Sequence, residues 1–258
     1  MKKHFIYLMA IAITMAAFTS CCEKEETGNG QPQMTMTTQK NDVLLRMAGS
    51  GTMTINWGDG TSATTYALST TNVTDYNHMY SATQTHSITI TGDNITVMDC
   101  SNNQITNLDV SKNTALTHLS CRDNQLTTLG LNKNTALTEL RCPTNQITAL
   151  DVSKNTALTR LECFGNQLAA LDVSKNTALT GLECSYNQLT ALDVSKNTAL
   201  TELYCDYNQL TAAALNALFG TLHSNTIERK MIFIGYNPGT ATCDISIAEN
   251  KGWRVFSD

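Results

Sequence analysis

Nine cysteines stand in a chain of 258 residues, and six of them, Cys100, Cys121, Cys142, Cys163, Cys184 and Cys205, recur every 21 residues without a slip. Thiols at such regular spacing suit three chemistries: disulfide bridging, metal ligation, or use as small apolar filler. A metal needs ligands that converge on one point, whereas these sulfurs fall in a line, with no C-x-x-C pair and no inward histidine beside them. Nucleophilic catalysis needs a thiolate next to a base. His118 is close to Cys121 in sequence, but on a strand the two side chains leave by opposite faces. Asp59, in Trp57-Gly58-Asp59-Gly60-Thr61, has the residue type of a general acid or calcium ligand, yet Asp-Gly is ordinary turn chemistry. No G-x-S-x-G, H-E-x-x-H or phosphate-binding glycine loop occurs. The residues that could do chemistry therefore point to no catalytic site, no metal site and no cofactor.

The period itself is the stronger signal. In step with the cysteines run Asn103, Asn124, Asn145, Asn166, Asn187 and Asn208, and Leu116, Leu137, Leu158, Leu179 and Leu200, in a unit L-T-x-L-x-C-x-x-N-Q-L-T-A-L-D-V-S-K-N-T-A. Leu119 and Cys121 are two apart, so a short strand sends both inward. One unit buries too little apolar surface to fold alone. Units stacked about 4.8 Å apart join their apolar faces into one core. An asparagine after each strand can donate to and accept from the backbone of adjacent coils, which makes that column structural.

This unit resembles the leucine-rich repeat, L-x-x-L-x-L-x-x-N-x-L, with Cys in the third apolar slot. The resemblance implies an α/β solenoid, a right-handed superhelix of six repeats over 94–210 with a parallel sheet on its concave side. In-register parallel strands aim one column of thiols the same way, unlike usual bridge geometry, so the column reads as free buried thiols. Cys243 lies outside it, and its pairing with Cys205 is left open. The half-unit L-D-V-S-K-N-T-A combines inward Leu and Val with capping and turning residues and is expected to be irregular or 3₁₀. It would form the convex wall, where Lys112, Lys133, Lys154, Lys175 and Lys196 make an exposed, solubilising column.

Both flanks differ from the repeats. Residues 38–93 alternate, as in Thr52-Met53-Thr54-Ile55-Asn56-Trp57, with Gly49, Gly51, Gly58 and Gly60 at turns, and read as all-β. Trp57-Gly58-Asp59-Gly60 followed by His78-Met79-Tyr80 resembles the W-G-D-G and H-x-Y signature of the PKD domain, which implies a small all-β sandwich at this end. Downstream, Leu215, Leu218, Phe219 and Leu222 have helical spacing, and Met231-Ile232-Phe233-Ile234 and Trp253-Arg254-Val255-Phe256 read as strands. Residues 211–258 are thus expected to be an α/β C-terminal cap.

The start of the chain reads as a processing signal. Lys2 and Lys3 precede an apolar run from Phe5 to Phe18, too short to span a bilayer comfortably. Phe18-Thr19-Ser20-Cys21 resembles a lipobox, which implies cleavage after residue 20 and lipid on Cys21, with Cys22 as the alternative acceptor. Lys24-Glu25-Glu26 looks like the charge run of surface-exported Bacteroides-type lipoproteins; a solvated linker gives the same run. Residues 21–37 are polar and without apolar periodicity, as suits a tether. The resemblance implies an outer-membrane protein held by lipid alone and facing the exterior. The formal net charge of −5 and the lack of a basic cluster beyond the leader exclude nucleic acid.

A ligand would meet the part of each unit that varies. Outward strand columns read Val97, His118, Glu139, Arg160, Gly181, Glu202; then Asp99, Ser120, Arg141, Glu162, Glu183, Tyr204; then Ser101, Arg122, Pro143, Phe164, Ser185, Asp206. Turn positions add Asn102, Asp123, Thr144, Gly165, Tyr186 and Tyr207. Pairing of Glu139 with Arg160 and of Arg141 with Glu162 across coils is expected. Phe164, Tyr186, Tyr204 and Tyr207 gather near Glu183, Glu202 and Asp206, an interface composition. With Arg141, Arg160 and Glu162 they form the candidate ligand-binding face. The repeats are similar to those of Bacteroides-type leucine-rich-repeat surface lipoproteins, and also to internalin-type solenoids. These resemblances imply a protein or peptide partner, host-derived in an adhesion role, with a glycan as the alternative.

Overall fold

The computed structural model describes residues 33–257. The leader, Cys21, Cys22 and Lys24-Glu25-Glu26 lie outside them. Among the described residues no helix is long and apolar enough to cross a membrane.

Five strands open the fold: β1 (Gln33–Thr38), β2 (Asp42–Asn56), β3 (Thr64–Ala67), β4 (Thr74–Met79) and β5 (His86–Asp99). All their pairings with one another are antiparallel. The period-2 pattern explains them. Met34 and Met36 of β1, Val43, Leu45 and Met47 of β2, and Ile88 and Ile90 of β5 are fully buried, while their neighbours face out. Strand β2 is long enough to pair with β4 at one end and β3 at the other because two register shifts, at Ala48/Gly49 and Ser50/Met53, bend it along β5. Gly49 permits the bend, since a Cβ there would fall 2.0 Å from the Asn94 carbonyl oxygen.

Seven short strands follow: β6 (Asn107–Asp109), β7 (His118–Ser120), β8 (Glu139–Arg141), β9 (Arg160–Glu162), β10 (Gly181–Glu183), β11 (Glu202–Tyr204) and β12 (Lys230–Phe233). The helix α1 (Ala212–Thr221) precedes β12. A one-turn helix α2 (Ser246–Glu249) and β13 (Trp253–Phe256) end the chain. Strands β7 to β13 pair in parallel without register shifts, Leu119 beside Leu140 beside Leu161 beside Leu182 beside Leu203 beside Ile232. The second half of each coil is built of turns, Asp109, Asp151, Asp172 and Asp193 each accepting the backbone N–H of the serine two residues on.

Three features differ from the sequence expectation. Residues 33–37 are not tether: Met34 and Met36 bury fully and β1 pairs with both β5 and β6, lying over the start of the solenoid. The all-β region is not a body apart from the repeats. Strand β5 crosses the expected boundary at 93/94, its last three residues Val97–Asp99 pair in parallel with β7, and a single hydrophobic core runs from Met34 to Trp253. Finally, the C-terminal segment contains a further coil. Ile232, Ile234 and Asn237 take the places of Leu203, Cys205 and Asn208, with α1 standing where the other coils have turns.

Two lysines fasten that segment. Lys230, 4% exposed, donates to the carbonyls of Asn225 and Lys251 and stands over the Trp253 ring. Lys251 donates to the carbonyls of Phe219, Gly220 and Leu222, the C-terminal turn of α1, where a cation meets the negative end of the helix.

Candidate functional site

The interior of the solenoid is uniform, and it fixes what the outer face can present. Each asparagine after a strand joins its coil to the one before. Asn145 Nδ2 donates to the Cys142 carbonyl of its own coil at 3.2 Å and the Cys121 carbonyl of the preceding coil at 3.0 Å. Its Oδ1 accepts from Leu126 N–H at 3.0 Å. The ladder closes on the flanks: Asn103 exchanges bonds with the Leu44 backbone of β2, and Asn237 extends it at the far end. A second buried column, Asn113, Asn134, Asn155, Asn176 and Asn197, which the sequence presents as mere turn residues, reaches back one coil from Asn134 onward: Asn155 Nδ2 donates to the Leu131 and Asn134 carbonyls, whereas the Asn113 side-chain amide has no hydrogen-bond partner among the described residues. Thr117, Thr138, Thr159, Thr180 and Thr201 add a hydroxyl ladder, each donating to the corresponding carbonyl of the coil before.

The seven described cysteines are free. Burial pushes the Cys142 thiol up to about 12, and the other thiols of the column rise for the same reason. Cys205 donates to the Phe233 carbonyl and Cys243 to that of Thr240, so the two are unbridged. Exposed His118 and buried Cys121 are kept on opposite faces. Among the described residues no group of three or more His, Cys, Asp or Glu could hold a metal ion.

Asp59 is a turn residue with a second task. It accepts from the Thr61 hydroxyl and N–H, which hold its carboxyl well below the usual range, and from His78 Nε2 at 2.7 Å. His78 stacks on Trp57, and the Tyr80 hydroxyl donates to the Trp57 carbonyl, so this cluster ties the β2 turn to β4.

On the outer face of the parallel sheet the predicted residues form two groups. In the middle coils Arg141 pairs with Glu139 and, at 3.4 Å, with Glu162. Arg160 pairs with Glu162 at 2.7 Å and with Glu202 at 3.9 Å. The Arg141–Glu162 pair is as expected. The Glu139–Arg160 pair does not form. Gly181, between β9 and β11, has no side chain, so Arg160 lies across it toward Glu202, and Glu139 turns to Arg141 and His118. The Glu162 hydrogen bond raises the Arg160 pKa further. Glu183 forms no ion pair among the described residues, and burial and then the Glu162 charge raise its carboxyl pKa.

In the last coils the aromatic residues stack in two ladders. Tyr204, Phe233 and Phe256 stand at one register position of β11, β12 and β13, with ring centroids 4.4 Å apart at each step. Tyr186, Tyr207 and Tyr236 form the second at the turn after the strand, with centroids 4.1 and 4.2 Å apart. Tyr186 and Tyr236 are 52% and 64% exposed. Phe164 joins neither ladder among the described residues. Phe233, Tyr236 and Phe256 were missed because they follow the break in the 21-residue period. The motif Ile232-x-Ile234-x-Tyr236-Asn237 was the signal that could have found them.

A pocket of about 360 Å³ opens at the other end of the same face, where Val73 from the β3–β4 loop stands over Asp99, His118, Ser120, Arg122 and Arg141. Of the lining residues Arg141 and Glu162 were among the candidates; a loop leaning over the sheet leaves no mark in the repeat pattern.

No family model matches the chain, and no curated protein does. Solved structures do. An internalin, InlF, from Listeria monocytogenes is 22% identical over 62% of this chain and 46% of its own, with a TM-score of 0.51, which shows a shared solenoid fold. The functional domain of InlJ from the same organism, described as including a cysteine ladder, is 29% identical over 61% of this chain and 49% of its own, with a TM-score of 0.32. A leucine-rich-repeat protein from Leptospira interrogans is 22% identical over 57% and 38%, with a TM-score of 0.45. The chain thus spans less than half the length of each of these structures.

Proposed function

We propose that this chain is a non-enzymatic surface lipoprotein that binds a protein or peptide partner through the concave face of its repeats, in adhesion or host contact. The reading includes lipid on Cys21, an outer-membrane location facing the exterior, and a PKD-like N-terminal region. The binding face comprises Arg141, Arg160, Glu162, Phe164, Glu183, Tyr186, Glu202, Tyr204, Asp206 and Tyr207.

One observation carries the reading. Coils with nearly identical interiors carry a different residue at almost every outer position, and the last of them present ordered, half-exposed aromatic rings beside carboxylates. Aromatic groups already held in place lose little freedom on contact, which is what interface anchors need. The sharing of its fold with an internalin is consistent with the reading, though fold alone does not fix a partner.

The test is binding of the labelled protein to cultured epithelial cells before and after trypsin or glycosidase treatment. Binding lost with trypsin and weakened by Tyr204→Ala supports a protein partner. Binding that survives trypsin and disappears with glycosidase overturns it in favour of a glycan. Protease digestion of intact producing cells tests the location: the wild type should be shaved and the Cys21→Ala variant displaced, and a wild type protected in an intact envelope overturns surface exposure.

A further inference from the structure

The tyrosine ladder stops abruptly. The seven turn positions after the strands, Asn102, Asp123, Thr144, Gly165, Tyr186, Tyr207 and Tyr236, all have left-handed backbone, with φ between 51° and 64°. For residues with a Cβ this conformation is sterically disfavoured, and a bulky residue there is an outlier that asks for a reason. Six of the seven adopt it nonetheless. Gly165, next to the last rung, is the exception. A side chain would fit, because a Cβ on Gly165 would meet nothing nearer than Thr144 at 3.4 Å, ordinary contact distance. Tyr207 covers one face of the Tyr186 ring. The other face looks along the column toward a glycine, and the next residue of the column with a side chain, Thr144, is two coil spacings away, ~9.6 Å. That leaves room for a single planar group.

The second aromatic ladder shows what closes such an end. Phe233 stacks on one side of Phe256, and the Arg254 guanidinium lies over the ring with Cζ 4.6 Å from its centroid. Beside the open ladder stands Asp206, whose carboxylate accepts from the hydroxyl of Ser185, the residue before Tyr186, and Glu183 lies within reach of the Asp206 charge. Arg160, in the same coil as Gly165, is already engaged by Glu162 and Glu202. A flat cation is therefore the complement of both the shape and the charge of this slot. We propose that the slot at Gly165 receives an arginine side chain of the partner, its guanidinium stacked on the outer face of Tyr186 as a further rung. This deepens the peptide-binding reading and rests on it.

The probes are fluorescein-labelled hexa-arginine and hexa-lysine, titrated into the purified full-length protein. Both carry the same charge, so attraction by the carboxylates alone holds them equally. Stacking should favour hexa-arginine by about ten-fold. Gly165→Asn fills the slot with a residue that the frame already accepts at Asn102, and Tyr186→Asn removes the platform; both should bring hexa-arginine down to the hexa-lysine level with unchanged circular dichroism. Equal binding of the two peptides overturns the proposal, as does an arginine preference that survives Gly165→Asn. Displacement of hexa-arginine by a neutral glucan hexasaccharide overturns it too, by giving the slot to a sugar face. Cell binding that persists in Gly165→Asn while the arginine preference is lost would show that the peptide-binding surface lies elsewhere on the repeats.

Discussion

The two asparagine ladders have the same residue at the same 21-residue spacing, and they are wired differently. In the ladder after the strands both ends of each amide are used, Nδ2 on two or three carbonyls and Oδ1 on a backbone N–H. In the ladder of the turn half, Nδ2 bonds to the preceding coil but Oδ1 of Asn134, Asn155, Asn176 and Asn197 is buried without a protein partner. The first ladder satisfies a donor that the strand-to-turn corner would otherwise orphan. The second only satisfies carbonyls, which tolerate it better. Identity of residue and spacing therefore does not imply equal energetic weight.

The largest predicted effect follows from that difference. Asn145→Ala should lower unfolding stability by about 3 kcal/mol, because the buried Leu126 N–H loses its acceptor while three carbonyls lose a donor. Asn155→Ala removes two bonds but also a buried acceptor that has no partner, and should cost only about 1 to 1.5 kcal/mol. Urea unfolding of the two variants measures both, and equal losses would erase the distinction.

Next in size is the cap that continues the first ladder. Lys230→Met keeps the stem but leaves two part-buried carbonyls without their ammonium donor, and should cost about 1 to 2 kcal/mol if the coil around Asn237 belongs to the same cooperative unit. A separate early transition in thermal unfolding of this variant would show instead that the last coil melts alone.

Thiol chemistry sharpens the contrast between interior and surface. In the native protein the cysteine column should resist a thiol-specific reagent, with Cys243 labelled first among the seven described cysteines. All seven should react after unfolding. Labelling of Cys163 before Cys243 would mean that the coils part locally.

The smallest effect belongs to the outer face. Glu183 has a raised folded pKa, so its ionised form opposes folding: stability is full below its unfolded value of about 4.5 and is reduced as pH rises through the folded value. Glu183→Gln should therefore raise the melting temperature slightly at neutral pH and leave it unchanged at pH 4. A loss at neutral pH would show that the carboxylate has a stabilising partner.

What could be read in advance follows the same division. Strict recurrence exposed the solenoid, the inward Leu–Cys pairs and the first asparagine column, since repetition samples the same environment six times. Asn113 and its successors repeated just as strictly, but S-K-N-T-A has the composition of a surface turn, and nothing in it says that the amide points in. Met34 and Met36 alternate as a strand should, yet six residues are too few to stand out from a polar linker. The coil around Asn237 was hidden by α1, which lengthens it and breaks the period. The Arg160–Glu202 contact depended on an absence, the missing side chain of Gly181, and pairing rules based on residue type do not see past an intervening coil.

The pairing of β1 has a mechanical consequence. Gln33 lies opposite Thr91 and Thr38 opposite His86, so the start of β1 and the end of β5 that leads into the coils are at the same end of the pair. A pull on the chain before Gln33, resisted by a load held on the coils, opens these bonds in turn like a zipper rather than all together in shear. Each residue released lengthens the chain by about 3.4 Å, and the six residues of β1 give ~20 Å of slack under low force before the coils themselves bear tension.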